Sequence, residues 1–127
     1  MKNESRSTPP DILERCFQFA VEVVKLCQNL DEHSGVGRIL MPQIVRAGTS
    51  VVSNVEEAQA GQSKADFVSK MAIALKEARE TNVRLRILDA ARVLAEAKLT
   101  PLVQESEELK RILGAIIVSA KRSGLDT

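Results

Sequence analysis

Apolar residues return every three or four positions in four successive stretches of this sequence, and no stretch alternates apolar and polar residues with a period of two. A repeat of three to four residues keeps one face of an α-helix apolar, whereas a half-buried strand needs alternation. We therefore expect an all-α chain. Because the joints between the stretches are short, only helices adjacent in sequence can pack side by side, which predicts an antiparallel up-down four-helix bundle.

Turn-forming and capping residues set the expected helix limits. We expect a disordered N-terminal arm at 1–8 and a bundle at 9–124, with helices at about 9–30, 39–60, 64–98 and 101–123. Pro9 suits a first helical turn, Ser63 is expected to cap the third helix, and Thr100 followed by Pro101 is expected to open the fourth. Two glycines in segment 31–37 indicate the first loop.

Each helix has one apolar stripe that we expect in the core. The stripes comprise Leu13, Phe17, Ala20, Val24 and Cys27 in the first helix, Ile44, Ala47, Val51, Val55 and Ala58 in the second, Phe67, Met71, Ala74, Ala78, Thr81, Leu85, Leu88 and Ala95 in the third, and Leu102, Leu109, Ile112, Leu113, Ile116, Ile117 and Ala120 in the fourth. Cys16 and Cys27 lie about 16 Å apart along one helix, too far for a disulfide or a shared metal. We interpret both as small buried side chains.

The third helix carries more apolar residues than one bundle needs. Ile73, Ile87 and Leu94 lie outside its main stripe. Surplus apolar surface of this kind is typical of protein interfaces. We expect these three residues to form an interface between copies of the chain, which makes the protein a homo-oligomer.

Polar residues follow the apolar stripes of the second and third helices: Arg46, Ser50, Asn54, Glu57, Glu77, Glu80 and Arg84. Steps of three and four residues place them along one side of each helix. We expect the opposite charges to pair between the helices, in a ladder of ion pairs and hydrogen bonds that fixes the helix register. The alternative is a carboxylate pair for acid or metal chemistry, and no histidine supports it.

The sequence contains few residues of the kinds that catalysis requires. Its single histidine, His33, falls in the expected first loop. Di-iron bundles need Glu-x-x-His pairs on facing helices, and phosphate-binding loops need glycine patterns that do not occur here. We therefore expect no catalytic residue, no metal, no cofactor and no enzymatic activity.

Basic residues on the third and fourth helices are candidate contacts to nucleic acid: Arg79, Arg86, Arg92, Lys110, Arg111, Lys121 and Arg122. Acidic residues are interleaved with them, and the whole chain has 18 Lys and Arg against 17 Asp and Glu. Contacts to RNA or DNA would therefore be directed at the backbone and sensitive to salt. The alternative is a solvated face of mixed charge.

Residues 1–10 are polar and lack the apolar region of a signal peptide, and no run of about 18 apolar residues occurs. We expect a cytoplasmic protein with no membrane partner.

One pattern in the second helix is distinctive: Arg46-Ala-x-x-Ser50-x-x-x-Asn54-Val-x-Glu57, supported by Phe67, Glu77 and Glu80. With it the chain resembles the bacterial four helix bundle proteins. That family includes proteins encoded in intervening sequences of large-subunit ribosomal RNA genes and accessory proteins of diversity-generating retroelements. The resemblance implies a bundle assembled into a ring-like homopentamer without established enzymatic activity. It also implies RNA, DNA or another protein as partners.

Overall fold

Four α-helices make up most of the computed structural model, which describes residues 11–31 and 35–125. They are α1 (Ile12–Asp31), α2 (Gly35–Gln59), α3 (Lys64–Ala90) and α4 (Glu96–Leu125). No strand occurs within these two ranges, so the expected all-α class is confirmed there. The predicted arm at 1–8 and His33 lie outside the described residues.

The helices pack in the order of the sequence. Close backbone contacts join α1 to α2, α2 to α3 and α3 to α4, and sparser contacts join α1 to α4. In the described part of the chain, none joins α1 to α3 or α2 to α4. The four helices therefore lie at the corners of a square around one core, as in an up-down bundle.

Two helix starts show side-chain caps. The Asp11 carboxylate accepts a hydrogen bond from the Leu13 N–H at 3.2 Å. The backbone carbonyl of Asp11 accepts one from the Arg15 N–H at 3.0 Å. Asp11 is thus the N-cap, and α1 begins at Ile12 instead of residue 9. Ser63 caps α3 as expected, since its Oγ accepts from the Asp66 N–H at 3.0 Å.

The start of α2 lies about one turn before the expected residue 39. Gly35 and Gly37, expected in the first loop, belong to the helix. Pro42 is consequently interior to α2, where its ring nitrogen has no hydrogen to donate to the helix. The sequence prediction erred because it took two nearby glycines as a loop signal.

The end of α3 differs most from the prediction, which extended this helix to residue 98. Arg92 adopts a left-handed backbone conformation with φ of 57°. Its N–H donates to the Asp89 carbonyl at 3.1 Å, and the Val93 N–H donates to the Leu88 carbonyl at 3.1 Å. This pair of bonds is a Schellman motif, which closes α3 at Ala90. The next helix, α4, then begins at Glu96, which places the expected start Pro101 in its second turn.

The expected core of α2 is fully buried, and that of α3 is buried from Met71 to Leu88. The prediction for α1 is confirmed for Ala20 and Cys27 and wrong for Phe17 and Val24. Phe17 is 52% exposed and Val24 is also exposed, whereas Cys16, Phe19 and Val23 are buried. A shift of one residue turns a helix by about 100°, and apolar residues occupy most sides of α1, so the pattern allowed both choices.

Candidate functional site

Four of the five charged residues of the predicted ladder come together on the surface formed by α2 and α3, which we call the α2/α3 face. Arg46 donates to the carboxylates of Glu77 and Glu80, at 3.4 Å each. Arg84 donates to Glu80 at 3.4 Å and to the Gln43 side-chain oxygen at 3.2 Å. Glu77 is buried among these partners. The four charges therefore balance within the chain.

The other three predicted ladder residues lie elsewhere along α2. The Asn54 amide donates to the Ser50 carbonyl at 2.9 Å and to the Ser50 hydroxyl at 3.0 Å, both within α2. Glu57 pairs with Lys70 of α3 at 3.1 Å. The sequence reasoning missed Lys70, which lies near the start of α3, opposite the end of α2.

Two of the three predicted interface residues are exposed on this face. Ile73 is 38% exposed and Ile87 is 51% exposed. Leu94 is buried at 9%, so its placement at an interface is wrong. The Schellman motif explains the error, because α3 ends before Leu94 and the chain then turns that side chain into the core.

One exposed residue on the α2/α3 face was not predicted. Ile39 is 69% exposed. It lies one turn before Gln43, and Ile87 lies about one turn after Arg84, the residue that Gln43 contacts. Antiparallel helices therefore bring Ile39 and Ile87 to the same level of the face.

A buried polar cluster joins α3 to α4, and the sequence reasoning missed it. Asn82 and Ser106 are both fully buried, and the Asn82 amide donates to the Ser106 hydroxyl at 2.8 Å. The Ser106 hydroxyl donates to the Val103 carbonyl at 2.8 Å. The Asn82 oxygen accepts from Arg86 at 2.9 Å and from Lys110 at 3.4 Å. Each buried polar group has a partner, as stability requires.

The predicted nucleic-acid contacts are spread over α3, the α3–α4 turn and α4. Lys110 pairs with Glu107 at 3.3 Å and Arg111 pairs with Glu108. The hydrogen bond from Lys110 lowers the pKa of Glu107, and the one from Arg111 lowers the pKa of Glu108. The remaining members, Arg79, Arg92, Lys121 and Arg122, are exposed. The structure thus brings Arg86 and Lys110 together at Asn82 but does not gather all seven residues into one patch.

A groove of about 610 Å³ separates α1 from α4, where the bundle packs least closely. Its apolar lining includes Phe19, Leu26 and Leu102. Arg15 crosses it and donates two hydrogen bonds to the Glu105 carboxylate, at 3.0 and 2.7 Å. Hydrogen bonding to Glu105 raises the pKa of Arg15, and the pair joins α1 to α4.

Both cysteines are free and buried, as predicted. Burial raises the pKa of the Cys16 thiol to about 12 and that of the Cys27 thiol to about 11. Neither side chain is a thiolate near neutral pH, and the thiolate is the reactive form.

Within residues 11–31 and 35–125, no group of three or more His, Cys, Asp or Glu side chains is arranged to hold a metal ion. None of the described helices is long and apolar enough to cross a membrane.

Comparison with known proteins places these features in a family. Among solved structures, the chain is similar to a protein of unknown function from the S23 ribosomal protein family of Bacteroides thetaiotaomicron. The two are 33% identical with a TM-score of 0.74, over 84% of this chain and 98% of that one. No curated protein matches the chain. The sequence pattern of 23S rRNA-intervening sequence proteins matches residues 10–115. The resemblance seen in the sequence is confirmed, and the chain belongs to the 23S rRNA-intervening sequence protein family.

Proposed function

We propose that this chain is a non-catalytic protein that assembles with copies of itself into a ring-like homopentamer. The observation that carries the proposal is the exposure of Ile39, Ile73 and Ile87 on the α2/α3 face. Covering an isoleucine side chain fully is worth roughly 1.5–3 kcal/mol, so three of them in every subunit favour association. The ring shape and the number of five subunits in this proposal are what the family resemblance implies.

The charges of the α2/α3 face do not need new partners when the face is buried. An interface that leaves a charge without a partner is costly, by about 3–5 kcal/mol. Here Arg46 and Arg84 already pair with Glu77 and Glu80 of the same chain. A second copy can therefore cover the face without having to supply new partners for these charges.

The side chains that could react are engaged in other ways, which supports the non-catalytic role. The two thiols are buried and protonated, and the carboxylates of Glu77 and Glu80 face arginine. Free buried cysteines also suit a reducing compartment, so we propose a cytoplasmic location.

Light scattering after size-exclusion chromatography tests the assembly. The subunit mass is 13.9 kDa, and we expect a particle of five times that mass at micromolar concentration. Replacing Ile73 by Glu should lower the mass, because it buries an unpaired charge in the interface. A wild-type protein that stays at the subunit mass at every concentration refutes the proposal.

A second candidate function is backbone-directed binding of RNA or DNA. It is favoured by the convergence of Arg86 and Lys110 on the Asn82 amide oxygen, which brings two positive charges together between α3 and α4, with Glu107 paired to Lys110. Proteins that bind through phosphate contacts lose affinity steeply as salt rises. The name of the family, which refers to ribosomal RNA, points in the same direction.

A gel-shift titration with structured RNA at low salt tests this second function. Replacing Arg86 and Lys110 by Gln should weaken the shift for every RNA sequence tried and reduce its dependence on salt. Lys25→Gln, on the exposed surface of α1, removes a charge without touching this pair and serves as control. The absence of a shift for wild type at low salt excludes the function.

A further inference from the structure

A second apolar surface lies between α1 and α2, and we call it the α1/α2 face. Phe17 and Val24 are exposed, and they lie on the side of α1 away from the groove with α4. A side chain at Gly48 of α2 would meet Val23, so this side of α2 faces α1. Val45 and Val52, three residues before and four after Gly48, lie on the same side and are half-buried.

The middle of the α1/α2 face carries no charge. By helical spacing, its members on α1 are Leu13, Phe17, Val21, Val24 and Gln28, and its members on α2 are Met41, Val45, Thr49 and Val52. Arg38 and Glu56 lie at its two ends, and Glu14 and Lys25 lie along its outer edge on α1. The other three faces of the bundle all contain ion pairs. An uncharged apolar surface of this kind is the type that a partner covers.

From these two faces we propose that the α1/α2 face of one subunit packs against the α2/α3 face of the next, so that α2 lies closest to the axis of the ring. This inference rests on the proposed self-assembly and specifies the surfaces that make it. The occupant of each face is a second copy of this chain.

One heterologous contact covers both apolar surfaces at once. If two α1/α2 faces met across a twofold axis, Ile73 and Ile87 would stay bare to water. In a head-to-tail contact each subunit uses both faces, and every exposed isoleucine of the α2/α3 face meets an apolar surface. No like charges meet at the centre of the contact, since the middle of one face is uncharged and the other face has its charges paired within the chain.

The angle between the two faces favours a closed ring over a filament. Neighbouring faces of a square bundle are turned by about 90° from one another. In a closed ring, the directions to the two neighbours differ by about 90° for four subunits and about 108° for five. The faces that share α2 therefore suit a small ring, whereas opposite faces of the bundle would produce an open chain.

The available area is sufficient for a stable contact. With 25 residues, α2 is about 37 Å long, and two adjacent helices present a surface about 20 Å wide. The resulting area of about 700 Å² is close to the roughly 800 Å² per partner of a standard interface.

The arrangement also determines which surfaces remain outside. With α2 nearest the axis, α4 lies farthest from it, so Arg86, Lys110 and the groove at Phe19 stay open to solvent. Near the axis, Thr49 and Ser53 donate their hydroxyl hydrogens to carbonyls of α2 itself. These short side chains allow copies of α2 to approach one another.

A complementation experiment tests the pairing of faces in the full-length protein. Phe17→Glu places a charge on the α1/α2 face only, and Ile73→Glu places one on the α2/α3 face only. Both wild-type side chains are exposed, so neither change disturbs the core. Val118→Glu, at an exposed site on α4, is the matched control and should keep the wild-type mass. Circular dichroism checks that all variants remain helical.

We expect each interface variant alone to have the subunit mass, because a ring needs both faces. Mixed in equal amounts, they retain one intact face each, so the mixture should give a particle of twice 13.9 kDa and nothing larger. A mixture that stays at the subunit mass overturns the inference, as does either variant alone keeping the wild-type mass. In those cases a wild-type oligomer still supports the proposed function. A wild-type monomer refutes both.

Discussion

Gly48 is the residue at which α2 has the least room beside α1. A Cβ placed there would lie 3.0 Å from Cγ1 of Val23 and 3.3 Å from its Cβ and Cγ2. Val23 is fully buried and has little space to move. We expect Gly48→Ala to lower the free energy of unfolding by about 1 kcal/mol, because overpacking of 1–3 kcal/mol exceeds the gain in helix propensity. Urea denaturation at one fixed protein concentration measures it.

Gly114 provides the matched control for Gly48. It also lies inside a helix, but apart from its chain neighbours and the backbone of its own helix no atom lies within 4 Å of the position that its Cβ would take. Gly114→Ala should therefore raise the free energy of unfolding, by about 0.5–1 kcal/mol. Equal changes in the free energy of unfolding at the two positions would show that crowding against Val23 is not the reason why position 48 requires glycine.

Asn82 and Ser106 form the buried hydrogen bond that fixes α3 against α4. Removing either side chain leaves the other without its partner, so we expect Asn82→Ala and Ser106→Ala each to cost about 1–3 kcal/mol of unfolding free energy. The double variant should cost less than the sum, with a coupling of about 0.5–3 kcal/mol. Chemical denaturation of the four proteins measures the cycle.

The pair of Asn54 and Ser50 is a suitable comparison, since it joins the same residue types at 3.0 Å within one helix. Its side chains are only partly buried, so its coupling should be smaller. Additive effects at Asn82 and Ser106 would contradict a structural role for their bond. The sequence could not have revealed the bond between Asn82 and Ser106, because a single polar residue among apolar ones does not identify its partner on another helix.

At the level of the helices, the end of α3 is set by backbone geometry without the usual residue. The left-handed position of a Schellman motif is normally glycine, and here it is Arg92. A side chain in this conformation costs roughly 1–2 kcal/mol. We expect Arg92→Gly to raise the thermal midpoint, since it relieves that cost while keeping both closing hydrogen bonds.

The comparison for Arg92→Gly is Arg92→Ala, which removes the same charge but keeps the Cβ. It should leave the midpoint near that of wild type or lower it. An increase of equal size in both variants would mean that loss of the charge is responsible, and the strain argument would fail. Because the stop signal of α3 is an arginine, the sequence predicted a helix that continued to residue 98.

The accuracy of the sequence prediction differed between helices for a physical reason. In α2 and α3 the polar row of Arg46, Glu77 and Glu80 marks one edge of each apolar stripe, and the predicted rotation buries Val51 and Leu85 as the structure does. In α1 both Phe17 and Phe19 belong to apolar stripes, and only contact with α2 decides between them. Spacing predicted the charged ladder, because Arg46 on α2 and Glu77 and Glu80 on α3 lie beside the apolar stripes that face one another.

On the scale of the whole molecule, the sequence indicated surplus apolar surface but not where it lies. Helical spacing placed it on α3 alone, through Ile73, Ile87 and Leu94. In the structure Leu94 joins the core, and Phe17 and Val24 become exposed instead. Two faces result where one was expected. The difference follows from the end of α3 and the rotation of α1, which depend on packing between helices and cannot be derived from one segment.

Assembly through these two faces couples folding to protein concentration. Near the thermal midpoint, where separated subunits are unfolded, a tenfold increase in concentration stabilises each chain of a pentamer by roughly 1 kcal/mol. For a domain of this size that corresponds to an increase of about 3–4 °C in the thermal midpoint. Calorimetry over a range of concentrations measures the slope.

The same measurement on the interface variants separates assembly from other effects of concentration. Phe17→Glu and Ile73→Glu should unfold at a midpoint that does not depend on concentration, because each leaves a subunit with only one usable face. Val118→Glu should retain the wild-type slope, since its site on α4 lies away from both faces. A flat profile for wild type would mean that α1 to α4 reach their full stability in a single chain, with Phe17 and Ile87 left facing water.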